Sequence, residues 1–352
     1  MLTRTLGERG PRVSALGIGC WALGGPAENL GLPTGWGEID DGEAFDGLCC
    51  AYEKGVTLYD VADVYGHGRA ESTLGRLVRQ VPRDSMTLTS KVGYAGDPEH
   101  PYTPEHMRRQ LERSLTHLGT EHIDLYFFHH NNFGPQDSDL DSAIATMEQF
   151  RAEGLIRAVG MRGPHRYALD RITGKPATDK YERFYRLFSR IGPQVIAVRD
   201  NLLTPSRAPI FALAAEHGCG VLTYKPLAQG LLTGNYTPRR PRRFGDGDHR
   251  ARKRWFTDPA ITIIDSALDT VRQHIGDDDP EELIRIALWS CLDHGDHTAV
   301  LAGFTTPEQV TANVACLDHP PAPEVVEIAR AAMRKAQVEL DAAFEVFTDQ
   351  AP

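Results

Sequence analysis

Four residues whose types can together move a proton onto a carbonyl oxygen stand at or just beyond the ends of short apolar runs. Asp60 closes the run 57–60, Lys91 closes 86–91, His129 closes 123–129, and Tyr65 lies just after Asp60. A phenol beside an ammonium and a carboxylate is an acid–base unit. The ammonium is expected to draw the phenol down from its usual pKa of about 10, while the carboxylate keeps the ammonium charged. Such a phenol donates its proton to a carbonyl oxygen as hydride reaches the carbon. Each residue alone has a plainer use: Asp60 as a loop cap, Lys91 as a surface lysine, His129 as a satisfied core histidine. Their coincidence at successive run ends favours chemistry.

The elements that must position these groups repeat in one order. Runs rich in Val, Ile and Leu at 15–19, 57–60, 86–91, 123–129, 156–160, 195–199, 220–224 and 299–303 have the continuous apolar character of strands buried on both faces. Amphipathic stretches at 41–54, 70–79, 104–117, 142–153, 180–191, 208–217 and 280–293 alternate with them. Thr103-Pro104-Glu105 and Asp279-Pro280-Glu281 place a cap residue, a first-turn proline and an acid in order, and Gly119, Gly154 and Gly218 close the preceding helices. Alternating β and α units predict an α/β fold, a (β/α)₈ TIM barrel, whose strand ends converge on one mouth. The long segments 163–193 and 237–259 are expected as loops at that mouth or as extra helices outside it. The stretch 324–347 reads as an extra C-terminal helix across the barrel wall.

Composition narrows the class. At 352 residues, 41% hydrophobic and 24% charged, the chain is expected to be one barrel domain over 1–352. A formal net charge of −10 argues against nucleic acid as a partner, because such binding needs a broad basic face. The start at Met1 has no signal-like apolar core and no run approaches membrane-span length, so a soluble cytoplasmic protein is expected, without a membrane partner. Cys20, Cys49, Cys50, Cys219, Cys291 and Cys316 lack metal-ligand spacing, so free thiols and no metal are expected. Nothing in the residues sets the oligomeric state.

Local sequence gives a specific likeness. Gly55-Val56-Thr57-Leu58-Tyr59-Asp60-Val61-Ala62-Asp63-Val64-Tyr65-Gly66, with Glu71 and Leu74-Gly75, resembles the signature of the aldo-keto reductase superfamily. Thr89-Ser90-Lys91-Val92-Gly93 and Ile123-Asp124-Leu125-Tyr126-Phe127-Phe128-His129 are similar to its other segments, and the likeness spans nearly the whole chain. The resemblance implies an N-terminal hairpin closing the barrel bottom and an NADPH- or NADH-dependent oxidoreductase acting on a small-molecule ketone or aldehyde, or on the alcohol in reverse. It implies Tyr65 as proton donor, Lys91 and Asp60 tuning it, and His129 orienting the carbonyl. Asp63 and His130 fall outside the motif registers and are assigned to local hydrogen bonding. Trp21 matches the aromatic wall of the substrate pocket.

The implied cofactor site departs from the family pattern in places. Tyr224-Lys225-Pro226-Leu227-Ala228-Gln229-Gly230 resembles the loop over the pyrophosphate, with Lys225 where serine is common. Lys225 either neutralises phosphate or salt-bridges the loop. Gly303 to Asn313 resembles the adenosine segment, with Gln309 and Asn313 facing adenine. Thr305 stands where Arg or Lys often pairs with a 2′-phosphate, which tilts the expectation toward NADH unless arginines of 239–254 substitute. At 158–163 the usual Ser-Asn pair that holds the nicotinamide carboxamide is replaced by Arg162-Gly163, and Ala197 stands near a common Gln. Arg162 either donates to the carboxamide, or binds an anionic substrate, or the ring sits differently. Redox-neutral chemistry by an epimerase, dehydratase or lyase is therefore the alternative, and a noncatalytic sensor of cofactor redox state is a third reading.

Overall fold

A computed structural model describes residues 1–29, 31–96, 100–165, 179–240, 242–275 and 280–342. Two short antiparallel strands, β1 (Thr3–Thr5) and β2 (Arg12–Ser14), form the N-terminal hairpin in the register Thr3↔Ser14. Then come β3 (Leu16–Gly19), the small ribbon β4 (Glu28–Asn29) and β5 (Leu32–Pro33), and the strands β6 (Leu58–Asp60), β7 (Thr87–Val92), β8 (Ile123–Phe128), β9 (Ile156–Arg162), β10 (Val195–Arg199), β11 (Gly220–Tyr224) and β12 (Thr298–Gly303). β3 and β6–β12 close a parallel barrel, with β12 paired to β3 and β9 to β10. The fold is the expected (β/α)₈ barrel.

The helices are α1 (Asp41–Glu53), α2 (Arg69–Val78), α3 (Pro104–Leu118), α4 (Leu140–Ala152), α5 (Lys180–Ile191), α6 (Ala208–Glu216), α7 (Asp258–Ile275), α8 (Pro280–Leu292), α9 (Pro307–Ala315) and α10 (Pro323–Ala342). Local chemistry sets several of their ends. Asp40 accepts from the N–H groups of Gly42 and Glu43 at 2.8 and 3.0 Å to start α1. Gly119, at φ 67°, ends α3, while Gly154 and Gly218 also take left-handed backbone. Thr103 precedes α3 as expected, but its hydroxyl donates to His100 O instead of capping the helix. The cap expected at Asp279 lies outside the described residues.

Strand alternation divides the apolar residues into layers. Leu58, Leu125, Phe127, Val195, Leu222, Ala299 and Leu301 fill the barrel interior, and Leu6 and Val13 of the hairpin join them from below. The bottom is thereby plugged. Gly7 makes the turn at φ 74°, so near β11 that a Cβ would lie 2.3 Å from Gly218 O. Leu16, Ile18, Tyr59, Tyr126 and Phe128 pack outward against the helices.

α10 is the expected extra C-terminal helix. It packs on α7 and α8, and Ile261, Ile264, Leu268 and Val271 meet Met333 and Leu340 in a separate core that also takes in Leu231 and Leu232. The C-terminal helix therefore braces the loop after β11 through α7. Within 324–347, Val338 is exposed and Phe344 lies outside the described residues. No helix among the described residues is long and apolar enough to cross a membrane, and the six cysteines are free thiols.

Candidate active site

Asp60 ends β6, Lys91 lies near the end of β7, and His129 follows β8, so the barrel brings all three to one mouth. Tyr65 joins them through a tight turn. Gly66 follows it at φ 59°, and a Cβ there would approach Gly24 O to 2.3 Å, so the loop after β6 presses directly on the loop after β3. Lys91 Nζ lies 2.8 and 2.9 Å from the two carboxylate oxygens of Asp60 and donates to Val61 O at 2.6 Å. Thr89 donates to the same carboxylate. Burial pulls the Lys91 ammonium down, but Asp60 and Tyr65 outweigh it and hold its pKa above the ordinary lysine value.

Lys91 Nζ is 5.0 Å from the centroid of the Tyr65 ring, and the ring of His129 meets that of Tyr65 edge-on at 5.9 Å. Lys91 lowers the phenol pKa as the residue types imply. Burial acts in the opposite direction and prevails, so Tyr65 titrates above an ordinary tyrosine and holds its proton at neutral pH. The phenol of this structure is a weak acid, not an unusually strong one. His129 is held uncharged: burial, then Lys91 and Arg162, push it well below 6.5, and its buried Nδ1 has no hydrogen-bond partner among the described residues.

Trp21 forms one wall of this site. Its indole donates to Thr34 O at 2.9 Å, and its ring lies 6.3 Å from Tyr65 and 4.2 Å from His249. Lys225 Nζ sits 4.4 Å from the Trp21 centroid, within cation–π range. No carboxylate among the described residues pairs with Lys225. Burial, followed by Lys253, Arg199, Arg162 and Arg252, drives its pKa well below the lysine value. Of the two roles open to it, salt-bridging the loop is not the one seen.

Arg162, last residue of β9, turns into the mouth. Its Nε donates to Tyr224 Oη at 3.0 Å and its Nη1 to His129 O at 3.4 Å. Ala197 lies beside it in register on β10, and the N–H of Gly163 donates to Ala197 O at 2.7 Å. The loop after β11 is strained: Lys225, Ala228, Gln229 and Gly230 all have positive φ. Pro226 is buried there and Leu227 half-buried, with Leu231 and Leu232 anchoring the loop in the α7–α10 core. On the neighbouring strand end, Gly303 is exposed, and Gln309 Oε1 accepts from the Thr305 N–H at 2.8 Å and from its hydroxyl at 3.3 Å, closing the start of α9. Asn313 is buried one turn further on.

The aldo/keto reductase family model matches residues 15–333. The chain belongs to the aldo-keto reductase family. It is 28% identical over 327 residues to the NADH-specific methylglyoxal reductase of Escherichia coli (strain K12), covering 89% of this chain and 92% of that protein. It is 25% identical over 320 residues to the L-galactose dehydrogenase of Arabidopsis thaliana, covering 89% and 87%. Among solved structures, the holo form of an aldo-keto reductase from Bacillus halodurans superposes with a TM-score of 0.67 at 26% identity, over 96% of each chain. A glycerol dehydrogenase from Gluconobacter oxydans, with a TM-score of 0.72 at 23% identity over 95% of each chain, shares the fold. This aldo-keto reductase is thus an oxidoreductase.

Sequence reasoning missed the roof of the reductase's mouth. Residues 245–252 run beside 25–36: the N–H groups of Ala27 and Gly35 donate to Gly247 O, His249 Nδ1 donates to Gly35 O, and Arg252 Nε donates to Pro33 O. Trp36 meets Trp21 edge-on and His249 lies tilted against it, and Gln229 donates to His249 Nε2. Tyr94, 4.8 Å from His129, was also unmarked. His130 makes the local bonds assigned to it, to Gly93 O and from Asn132 N–H. Asp63 is buried against the Val64 backbone, and burial followed by Glu71 raises its pKa well above 3.8.

Proposed function

We propose that the chain reduces the carbonyl of a small ketone or aldehyde with a nicotinamide cofactor, or oxidises the alcohol, with Tyr65 as general acid or base. The observation that carries this reading is the Tyr65 phenol ring set between the Lys91–Asp60 ion pair and the His129 ring at the barrel mouth.

The residues fit a dinucleotide. A strained left-handed loop is a conformation that persists where a ligand or clamp demands it, and within it stands Lys225, which no carboxylate among the described residues compensates. Tyr224, Lys225, Pro226, Leu227, Gln229 and Gly230 would hold the phosphates, Gly303, Thr305, Gln309 and Asn313 the adenosine, and Arg162 the carboxamide end. When bound, the nicotinamide supplies hydride to the carbonyl carbon or accepts it in reverse. Tyr65 gives its proton to the carbonyl oxygen. Lys91, kept charged by Asp60, stabilises the phenolate left behind and so offsets part of the burial that makes the phenol a weak acid. His129, being neutral, orients the carbonyl oxygen without adding charge.

NADH is the preferred form. Thr305 offers no cation to a 2′-phosphate, and within 239–254 Arg250 is tied to Asp248 at 2.6 Å while Arg252 bonds Pro33 O. The name of the Escherichia coli relative points the same way. Arg162 also favours a second reading, in which Tyr65 and Lys91 abstract a proton beside a carbonyl in an epimerase, dehydratase or lyase.

NADH and NADPH titrations combined with Tyr65→Phe test the first reading. The variant is expected to lose about 10²–10⁴-fold in turnover while its cofactor affinity stays within a few-fold. Turnover that survives while binding is lost contradicts the assignment. Product formed without any change in cofactor absorbance transfers the case to the second reading.

A further inference from the structure

We infer that Glu71 is a positioning residue of the reaction: through Ser90 and His117 it ties the turn that carries Tyr65 to the strand that carries Lys91, and so sets how the phenol meets the ammonium and the carbonyl. The inference rests on the oxidoreductase reading and adds to it a residue that acts from behind the barrel wall.

Tyr65 and Lys91 belong to different elements, and only one of them is held by regular structure. Lys91 lies in β7, which is paired on one side with β6 and on the other with β8. Tyr65 instead opens the turn Tyr65–Gly68, in which Gly66 and His67 both take left-handed backbone, at φ 59° and 53°. A left-handed His67 persists only where its surroundings over-determine it. The entry limb of the turn is fixed at Val61, whose N–H donates to Thr89 O at 3.0 Å. The exit limb runs through Gly68, with no side-chain cap, into α2, where Glu71 stands in the first turn.

Glu71 is 1% exposed, and both of its carboxylate oxygens are used. Oε1 accepts from Ser90 Oγ at 2.7 Å, and Ser90, fully buried, is the residue next to Lys91 on β7. Alternation turns the two side chains to opposite faces of the strand, Lys91 into the mouth and Ser90 out to α2. Oε2 accepts from His117 Nδ1 at 3.3 Å, and His117, in the last turn of α3, also fills the space over Gly68: a Cβ there would come within 2.4 Å of its Cε1. Glu71 reaches the entry limb as well, since its charge follows burial in raising Asp63, two residues before Tyr65. One buried carboxylate thus gathers β7, α3 and both limbs of the turn. Hydrogen bonds to a buried carboxylate are strong and directional. Proton transfer needs that constraint, because a misplacement of about 1 Å can cost about 100-fold in rate.

The test follows NADH consumption with 4-nitrobenzaldehyde in three variants. Ser90→Ala removes the tie to β7 without changing charge, Glu71→Ala removes both ties, and Glu71→Gln keeps an amide oxygen for Ser90. Phe150→Leu, which trims a buried ring in α4, is the control for lost stability. In Ser90→Ala and Glu71→Ala, kcat is expected to fall about 10–100-fold while KM for the aldehyde and Kd for NADH stay within about twofold. Glu71→Gln is expected to recover most of the loss. Should Glu71→Ala fail to fold, Ser90→Ala and Glu71→Gln carry the comparison. A kcat in Ser90→Ala no lower than in Phe150→Leu overturns the inference, as does a loss of NADH affinity large enough to account for the slower rate.

A second measurement needs no turnover. In protein labelled with 3-fluorotyrosine, the fluorine resonance missing from Tyr65→Phe belongs to Tyr65, and in Ser90→Ala it should shift or double by more than in Phe150→Leu. An unmoved resonance overturns the inference. Wild-type protein that consumes no NADH with the aldehyde counts against the oxidoreductase reading, and the resonance then decides the inference by itself.

Discussion

Lys91 and Lys225 both stand at the C-terminal ends of barrel strands, at one mouth, and differ in what surrounds them. Lys91 is gripped by both oxygens of Asp60 and by Val61 O, and its pKa rises. Lys225 rests on an indole face among other cations, and its pKa falls. The β6–β8 side of the mouth pairs its lysine with a carboxylate, whereas on the β9–β11 side Lys225 meets no carboxylate among the described residues. A finished proton-transfer unit thus faces an unfinished binding surface.

The strongest way to break this contrast is Lys91→Met. It leaves Asp60 buried without its cation and is expected to remove about 3–5 kcal/mol of stability in urea unfolding. Adding Asp60→Asn should recover a large part of the loss. A single-variant effect under about 1 kcal/mol would mean that the pair is solvated like a surface bridge.

Lys225→Met should act in the opposite sense, stabilising the ligand-free protein by about 1–2 kcal/mol at pH 7. With its folded pKa below the unfolded 10.5, the unfolded chain binds this proton more tightly, so the lysine opposes folding at every pH below 10.5. The gain should vanish as pH rises towards that value. A destabilised variant would show that packing on Trp21 outweighs the charge.

His249 gives a smaller, finer test on the same side. Burial and then Lys225 depress its pKa well below 6.5. The unfolded histidine takes up a proton as pH falls below 6.5 and the folded one does not, so stability is lost from 6.5 downward until the folded pKa is reached. Between pH 7 and 5.5 the wild type should lose about 1 kcal/mol more than His249→Gln. Parallel pH profiles for the two proteins would refute the buried, neutral assignment.

What could be read from the residues follows the same division. The barrel and the positions of Asp60, Lys91 and His129 were legible because each sits at the end of a contiguous apolar run, and strand ends of a barrel meet by topology. The sense of the Tyr65 shift was not, because it depends on how thoroughly the phenol is enclosed. α7 went unmarked although Ile261, Ile264, Leu268 and Val271 recur at helical spacing. Its β-branched cluster Ile261-Thr262-Ile263-Ile264 is weak in helix propensity and follows a polar stretch. The roof of Trp36 and His249 joins segments more than 200 positions apart through backbone bonds, which no local pattern announces. Arg162 and Lys225 could be named as departures, but their lack of carboxylate partners is a property of the assembled mouth.

The pairing of β12 with β3, Val300 beside Leu16, sets a schedule for assembly. The first barrel strand waits with an open edge until the last has left the ribosome, and contacts of such long sequence separation are slow to form. Refolding from denaturant should accordingly stall on an unclosed sheet whose free edges pair between molecules, so the yield of native enzyme should fall steeply as chain concentration rises.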